Sequence, residues 1–168
     1  MQLIKCTQKL LKELKQKPSS YIPHDSNLGS WHANVFHVER RKCVLVTNDL
    51  TLYTMFIPYL KKDDFKVFHV VFGQNLFKNL LYEELSQKEI ETVLEEYQEI
   101  QYAKTDSRSV LGSMNDQKIQ LEYIINSEGG LDNTDIYNLN KKLNRNILSA
   151  ISYKHPIDML KDKIKNGT

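Results

Sequence analysis

The strongest constraint on the fold comes from residues 31–57, where three short apolar segments are separated by turns. The segments are WHANVFHV (31–38), KCVLVT (42–47) and TLYTMFI (51–57). A charged tip separates the first two segments, and Asn48-Asp49 separates the last two. Alternation with a period of two indicates strands, and short turns between strands favour antiparallel pairing. The sequence therefore predicts a three-stranded antiparallel meander over residues 31–57.

A second apolar pattern follows, and its spacing is helical. Apolar residues recur at intervals of three and four, with three valines widening the stripe: Phe65, Phe68, Phe72, Leu76 and Leu80, then Val67, Val70 and Val71. This spacing predicts one helix over residues 64–82 with a broad buried face. A small sheet and a single helix each expose an apolar face when alone. We therefore expect the helix to pack on the meander.

Shorter patterns complete the prediction. Strands are expected at residues 2–6 and 100–105, a loop at 18–30, and further helices at 7–16, 86–97, 107–126 (softened near 112–118), 134–144 and 156–165. The helix after Ser86 begins with a capping-box pattern, in which Ser86 and Glu89 each satisfy a backbone N–H. The sequence thus predicts a single α+β domain over residues 1–168, with a mainly antiparallel sheet packed against several helices.

Composition limits the cellular setting. No apolar run approaches the ~18 residues of a membrane span, and the N-terminus lacks the apolar core of a signal peptide. We therefore expect a cytoplasmic protein without membrane contact. Cys6 and Cys43 lie in predicted strands and have no metal-ligand spacing, so we expect two buried free thiols. No metal site and no cofactor are predicted.

Charge is unevenly distributed, although the net charge is only +2. Residues 1–17 hold five lysines and one glutamate, and residues 141–165 hold six lysines and one arginine against two aspartates. Residues 83–99 hold seven glutamates and one lysine. The acidic segment could face the basic ends or remain solvated, and the basic ends could alternatively contact nucleic acid. The pI near 8.4 lies below the value of about 9 that favours a nucleic-acid footprint.

The predicted hairpin carries one polar corner and one basic tip. A tip at residues 39–41 or 40–41 places His32 opposite Asn48 or Asp49. A histidine beside a carboxylate has a fixed tautomer and is suited to acid–base chemistry, so His32 and Asp49 are weak catalytic candidates. The alternative is a histidine whose hydrogen bonds are satisfied in a half-buried sheet. Arg40 and Arg41 are either solvated or contact phosphate, nucleic acid or a protein partner.

A second candidate site lies where the strand at 100–105 meets the following helix. The free N–H groups and the dipole of a helix N-terminus favour an anion. Lys104 and Arg108 flank this N-terminus, and Asn115 lies farther along the same polar face. We predict a phosphate or carboxylate site formed by these three residues. The alternative is a surface ion pair between Arg108 and Asp106 or Asp116.

Three sequence motifs, taken together, resemble those of a bacterial protein family. The motifs are LGSWHANVFHVERRKCVLVTNDLTL, YAKTDSRSVLGSMND and LNKKLNRNILSAISYKHPIDML. Together they are similar to a bacterial domain-of-unknown-function family that also occurs in mobile elements, and the similarity spans nearly the whole chain. The family has no assigned catalytic residues, so the resemblance implies no reaction and no site.

Two function classes remain open. The first is a binding or regulatory module that contacts nucleic acid, a nucleotide phosphate or an acidic partner protein, and it is the one we favour. The second is a small enzyme acting on phosphodiester or phosphoryl groups, with His32 as acid or base and the arginines and Lys104 stabilising charge. No phosphate loop, GxSxG elbow, HExxH or paired-cysteine motif is present to indicate a particular enzyme class.

Overall fold

The computed structural model describes residues 2–20 and 26–167. Its strands are β1 (Gln2–Cys6), β2 (Trp31–Val38), β3 (Arg41–Asn48), β4 (Thr54–Ile57) and β5 (Ile100–Lys104). Its α-helices are α1 (Gln8–Leu14), α2 (Lys62–Lys66), α3 (Phe68–Tyr82), α4 (Gln87–Glu95), α5 (Arg108–Ser127), α6 (Ile136–Leu143) and α7 (Pro156–Asn166). Short 3₁₀ turns occur at Leu131–Asn133 and Ser149–Ile151.

The five strands form one mixed sheet in the order β4-β3-β2-β1-β5. β2, β3 and β4 form the antiparallel meander, as predicted. β1, however, is parallel to both β2 and β5. Helix α1 and residues 15–30 separate β1 from β2. A connection of that length lets the second strand run in the same direction as the first, whereas a short hairpin turn reverses the chain. The α+β class is therefore confirmed, and the mainly antiparallel description holds for the meander but not for β1.

The hairpin tip is formed by residues 39–40, which is neither of the two predicted tips, 39–41 and 40–41. Val38 pairs with Arg41, so Glu39 and Arg40 alone form the turn. Both have positive φ, 49° and 66°, which is the backbone of the type I′ turn that joins two-residue hairpins. Neither residue is the glycine or asparagine that usually signals such a turn. A tertiary hydrogen bond holds it instead, because the Glu39 carboxylate accepts from the Leu131 N–H at 2.7 Å.

The third strand is shorter than predicted, because the turn between β3 and β4 extends to residue 53. The side-chain oxygen of Asn48 accepts hydrogen bonds from the Leu50 and Thr51 N–H groups at 3.1 and 3.0 Å. An asparagine that bonds to the backbone two and three residues ahead stabilises a turn. β4 therefore begins at Thr54 rather than at residue 51.

The sheet has an apolar core on each face. The core on one face contains α1, α3, α4 and α7, with Trp31, Phe72 and Tyr97 at its centre. The core on the other face contains α5 and α6, packed on Phe36 and Phe56. Alternation explains the division, since successive side chains along a strand point to opposite faces.

The predicted helix at 64–82 is two helices, α2 and α3. Val67, with φ −120° and ψ 35°, interrupts the helical backbone between them. Phe68, Phe72, Leu76 and Leu80 are buried as predicted. The valines do not all widen the buried face, because Val67 and Val70 remain 44% and 42% exposed.

The later helices follow their predicted order. α5 is continuous, so the softening expected at residues 112–118 is absent. α7 begins with Pro156 in its first turn. A backbone N–H at this position has no acceptor within the helix, so proline loses no hydrogen bond there. Cys6 and Cys43 are buried free thiols, as predicted. In the described ranges, no helix is both long enough and apolar enough to cross a membrane.

Candidate functional site

Two neighbouring parallel strands, β1 and β5, end side by side. Cys6 at the end of β1 pairs with Lys104 at the end of β5. The helices that follow these strands lie on opposite faces of the sheet, because α1 belongs to one core and α5 to the other. In open sheets with parallel strands, such a divergence leaves a crevice outside the carboxyl ends of the two strands, where ligands commonly bind.

A cluster of four ionisable side chains lies beside this crevice. The Lys5 ammonium contacts Asp49 Oδ2 at 3.1 Å and Asp106 Oδ2 at 3.0 Å. His32 Nδ1 contacts Asp49 Oδ1 at 2.7 Å, and His32 Nε2 lies 3.5 Å from Asp106 Oδ1. We call Lys5, His32, Asp49 and Asp106 the charged cluster.

Strand register and turns position the four side chains. Lys5 and His32 are direct partners on the parallel strands β1 and β2, so their side chains lie on the same face of the sheet. Asp49 directly follows β3, and its N–H donates to the Ser30 carbonyl at 2.9 Å. Asp106 lies between β5 and α5. The four residues therefore come from four different points of the chain.

His32 is fully buried, and both of its ring nitrogens have partners. In the tautomer with hydrogen on Nδ1, the ring donates to Asp49, and Nε2 accepts from the Asp106 N–H at 3.3 Å. The Cα partner of His32 is Thr47, not Asn48 or Asp49 as predicted, because the tip at residues 39–40 shifts the pairing register. The contact with Asp49 nevertheless forms, because Asp49 lies in the turn after β3.

Lys5 supplies the positive charge of the cluster. Burial lowers the pKa of its ammonium, but hydrogen bonds to Asp106 and Asp49 outweigh burial and raise the pKa above its usual value. A lysine whose pKa is raised stays protonated, which does not suit it as a nucleophile or Schiff-base former.

Three of the four residues have the donor atoms of a metal site. One ligand atom each from His32, Asp49 and Asp106 lies within 4.8 Å of the others. The Lys5 ammonium, however, already contacts both carboxylates, and both His32 nitrogens are hydrogen-bonded. A divalent cation would have to displace Lys5, so the geometry fits an ion-pair network better than a metal centre.

A cleft of about 410 Å³ opens next to the charged cluster. Lys5 and Asp106 line it together with two apolar residues of the sheet, Leu3 and Ala103, and with Lys104. Its remaining walls are Pro18, Ser19, Ser20 and Thr105. Apolar walls with a few polar groups, in a volume of about 300–1,000 Å³, are typical of small-molecule sites. Asp106, with 52% of its side chain exposed, is the most accessible carboxylate of the cluster.

The predicted anion site is only partly assembled. Lys104 lines the cleft, and Arg108 is the first residue of α5 after the cap Ser107. Neither residue forms an ion pair within the described ranges, and Asp106 pairs with Lys5 rather than with Arg108. Asn115 lies seven residues along α5 from Arg108, which corresponds to about 10 Å along the helix axis. The structure therefore places Lys104 and Arg108 near the crevice but not Asn115.

The two tip arginines have different surroundings. Arg40 is exposed at the tip. The Arg41 guanidinium lies 4.9 Å from the centre of the Tyr59 ring and 3.6 Å from Asp132. Both arginines belong to the β2–β3 tip, at the opposite end of these strands from His32. They do not join the charged cluster.

Sequence reasoning missed Lys5 and the role of Asp106. Lys5 lies within a mostly apolar strand, QLIKC, and a charged residue there is the available signal for a polar partner. The sequence around Asp106 indicates a surface partner for Arg108 rather than for Lys5. Its contact with Lys5 depends on the parallel pairing of β1 with β5, which no local pattern indicates.

Of the comparisons with known proteins, the one with family models identifies a family. No curated protein and no solved structure matches the chain. A family model described as "Domain of unknown function (DUF6933)" matches residues 3–159. This range contains the charged cluster, the cleft and all five strands except the first residue of β1. The chain therefore belongs to the DUF6933 family of domains of unknown function.

Proposed function

We propose that the chain is a cytoplasmic binding module for a small ligand that carries a phosphate or carboxylate group. The ligand occupies the cleft beside β1 and β5. The observation that carries the proposal is the convergence of Lys5, His32, Asp49 and Asp106 at the crevice between two diverging helices.

The charged cluster supports the proposed ligand site because burying its charged groups opposes folding. Transferring charged groups out of water costs several kcal/mol per ion, and apolar residues of similar volume often stabilise a protein as well or better. Lys5 and Asp49 have only 14% and 16% of their side chains exposed. Strongly interacting ionisable groups that adjoin a cleft are characteristic of functional sites.

The surrounding charges favour an anion. Lys5 contacts both carboxylates of the cluster and offsets one of their two negative charges, so together they oppose an anion less. Lys104 and Arg108 add two cations that form no ion pair within the described ranges. The first N–H groups of α5, a helix of 20 residues, add the positive end of its dipole. A phosphate at the mouth of the cleft would contact these groups.

Thermal unfolding in the presence of anions tests the proposal. Inorganic phosphate, sulfate and mononucleotides at millimolar concentration are expected to raise the Tm of the wild type, since a ligand that binds only the folded state stabilises it. Arg108→Ala is expected to remove this rise while leaving the ligand-free Tm nearly unchanged. Arg40→Ala is the matched control, because it removes the same charge from an exposed position at the hairpin tip, away from the charged cluster.

Two results would reject the proposed site. The first is an anion-independent Tm for the wild type. The second is a full anion-induced rise in Arg108→Ala. An equal loss in Arg40→Ala would show that net charge, and not the crevice, determines binding.

A second candidate function is a small enzyme that acts on phosphoryl groups. The observation that favours it is the 2.7 Å contact between His32 and Asp49, which orients a histidine for proton transfer. His32 is fully buried, so Asp106 would meet the substrate, and His32 would position it through Nε2. Hydrolysis of p-nitrophenyl phosphate that is lost in Asp106→Asn but retained in Asp132→Asn would support this function. If the wild type hydrolyses no p-nitrophenyl phosphate, the enzyme function is rejected and only the binding module remains proposed.

The macromolecular partners and the biological origin that the sequence suggested also remain proposals. A nucleic acid or an acidic protein is an alternative source of the phosphate or carboxylate group. An origin in bacteria or mobile elements, which the family resemblance suggests, adds no chemistry to the site.

A further inference from the structure

Helix α3 exposes an apolar stripe on the side opposite its buried face. The stripe comprises Val67, the residue just before α3, and Val70, Phe77, Leu81 and Tyr82 of the helix, which are all 41–51% exposed. Val70, Phe77 and Leu81 recur at intervals of seven and four, so they line one face of the helix. We call these five residues the α3 stripe. It lies on a different element from the charged cluster, which the proposed ligand site uses.

The stripe is continuous with an aromatic pair. The rings of Tyr82 and Tyr137 lie with their centres 5.8 Å apart and are tilted by 36°, which extends the apolar surface from α3 to α6. A shallow depression lined by Lys78, Leu81, Tyr82 and Tyr137 lies at this point. Single exposed apolar residues are common on proteins, but a contiguous patch that runs along a helix is typical of an interaction surface.

We propose that the α3 stripe binds the α3 stripe of a second copy of this chain, with the two helices antiparallel. Cyclic two-fold dimers are the commonest closed assembly, and in them the same patch must be complementary to itself. In an antiparallel pairing that is symmetric about the middle of the helix, Val70 of one copy meets Leu81 of the other. Phe77 then meets Gln74.

The charges at the two ends of α3 favour a second copy in this orientation. Residues 61–66, at the N-terminal end, contain three lysines and two aspartates. Residues 83–99, which follow the C-terminal end, contain seven glutamates and one lysine. An antiparallel pairing brings the N-terminal end of one copy, whose three lysines and two aspartates give a net charge of +1, to the acidic end of the other, whereas a parallel pairing brings the two acidic ends together. The helix dipoles also favour the antiparallel pairing, because the positive end of each helix lies beside the negative end of the other.

Gly73 adds a steric argument. It borders the stripe near the centre of α3, where a Cβ atom would meet no atom within 4 Å. Glycine in a helix interior costs about 0.5–1 kcal/mol relative to alanine, and the space beside it permits a second helix backbone to approach closely. Gly112 on α5 has the same open surroundings and provides a matched control.

Sedimentation equilibrium of the full chain, between about 1 and 500 μM, tests the proposal. The wild type is expected to dimerise, and Leu81→Lys is expected to weaken dimerisation at least tenfold. Ile119→Lys is the control, because Ile119 is a still more exposed apolar residue on another helix, at 66%. Circular dichroism and Tm verify that each variant is folded. Likewise, Gly73→Gln is expected to weaken the dimer, whereas Gly112→Gln is not.

Cysteine cross-linking tests the orientation. Gln74→Cys, near the centre, is expected to form an intermolecular disulfide under mild oxidation. Val67→Cys is not, because in the antiparallel pairing the two copies of residue 67 are about 25 Å apart along the axis. Cross-linking of Val67→Cys to itself would overturn the antiparallel arrangement. A wild type that is monomeric throughout the range, or Leu81→Lys that dimerises as strongly as the wild type, would overturn the interface.

The outcome is independent of the ligand proposal. Arg108→Ala, which tests the ligand site, is expected to dimerise like the wild type. Leu81→Lys is expected to retain the rise in Tm with phosphate. Failure of one proposal therefore leaves the other intact.

Discussion

At the scale of single residues, the centre of the larger core consists of three aromatic rings from distant parts of the chain. Phe72 lies 5.4 Å from Trp31, ring centre to ring centre and nearly perpendicular to it, and 5.3 Å from Tyr97. The Trp31 indole N–H donates to the Tyr97 hydroxyl at 2.6 Å. Buried tryptophan N–H and tyrosine O–H groups usually have such a polar partner, and aromatic contacts add to the free energy gained by burial.

Phe72→Ala is expected to reduce the free energy of unfolding by about 3–5 kcal/mol, because it leaves a cavity beside Trp31 and Tyr97. Chemical denaturation with urea measures the change. Tyr123→Ala, at a position that is 76% exposed, is the control and should have little effect. An unchanged denaturation midpoint for Phe72→Ala would show that the ring is not part of the core.

Lys5→Met is expected to cost about 1–3 kcal/mol, because it removes the ammonium and leaves two neighbouring carboxylates without their cation. The methionine keeps the apolar stem of the side chain. Lys9→Met, on the exposed side of α1, removes the same charge and should be close to neutral. Equal stability of the two variants would mean that the charged cluster contributes nothing to folding.

The raised pKa of Lys5 adds a pH dependence. The stability that comes from protonated Lys5 is fully present below the ordinary lysine pKa of about 10.4, and it is lost as the pH rises through the raised value. The free energy difference between the wild type and Lys5→Met should therefore shrink only in strongly alkaline solution. A difference that disappears already between pH 7 and 9 would contradict this mechanism.

At the scale of elements, the edge of the sheet at β4 is closed by the side chains of Asn140 in α6 and Asn144, the residue that caps the C-terminus of α6. Asn144 accepts from the Thr54 N–H at 2.7 Å and donates to the Thr54 carbonyl at 2.8 Å. Asn140 accepts from the Phe56 N–H at 2.8 Å. Residues four apart lie on one face of a helix, so the two amides replace part of a neighbouring strand and protect an edge that could otherwise pair with another chain.

Asn144→Ala is expected to destabilise the fold by about 2–4 kcal/mol, because the buried N–H and carbonyl of Thr54 lose their partners. Asn146→Ala, which removes a partly exposed amide from the segment just after α6, is the matched control. Hydrogen exchange should also accelerate at the Thr54 amide. Slow exchange at Thr54 in the variant would indicate that another group satisfies this edge.

The capping box of α4 forms as predicted. Ser86 accepts from the Glu89 N–H at 3.3 Å, and the Glu89 carboxylate accepts from the Ser86 N–H at 2.8 Å. These hydrogen bonds lower the pKa of Glu89, with Lys165 and Lys161 adding to the effect. Because the folded-state pKa is lowered, this stability is present above the ordinary carboxyl pKa of about 4 and is lost as the pH falls through the lowered value.

Ser86→Ala is therefore expected to reduce stability by about 1 kcal/mol at pH 7. In Ser86→Ala the Glu89 carboxylate can still accept from the backbone N–H of residue 86. The combined variant Ser86→Ala, Glu89→Gln also removes this carboxylate, so its stability should depend less on acid pH than that of the wild type. Urea denaturation between pH 3 and 7 measures both effects. Parallel pH profiles for the wild type and the double variant would contradict this assignment.

At the scale of the whole molecule, the acidic and basic segments partly neutralise each other. Helix α4 contacts α7, and Lys161 and Lys165 of α7 contribute to the lowered pKa of Glu89. The acidic segment therefore faces the basic C-terminal segment, which is the first of the two alternatives that its charge pattern left open. The lysines of α1 and the residues after it, Lys9, Lys12, Lys15 and Lys17, remain on the exposed surface.

Any binding of nucleic acid is consequently expected to be weak, tolerant of sequence and dependent on salt. Four phosphate contacts would reduce the affinity about 100-fold between 50 and 200 mM salt. Fluorescence anisotropy with labelled single-stranded and double-stranded DNA measures this dependence. Affinity that is insensitive to salt, or that differs strongly between sequences, would exclude this electrostatic mode.

The sequence by itself determined the type and order of nearly all elements. β2, the α3 core face, the α4 cap and the start of α7 follow from periodicity and from residues such as Ser86 and Pro156, whose effect on the backbone is local. The turn at Glu39 and Arg40 escaped prediction because a distant contact with Leu131 stabilises it.

Only the tertiary structure decided which side chains meet. The parallel pairing of β1 with β2 and β5 places Lys5 beside His32 and brings Asp106 to both. Local patterns record which side of an element is buried, but the register of strands far apart in the chain depends on the packing of the whole core. For this reason the sequence indicated two separate sites, one at His32 and Asp49 and one at Lys104 and Arg108, whereas the fold joined the first pair to Lys5 and Asp106.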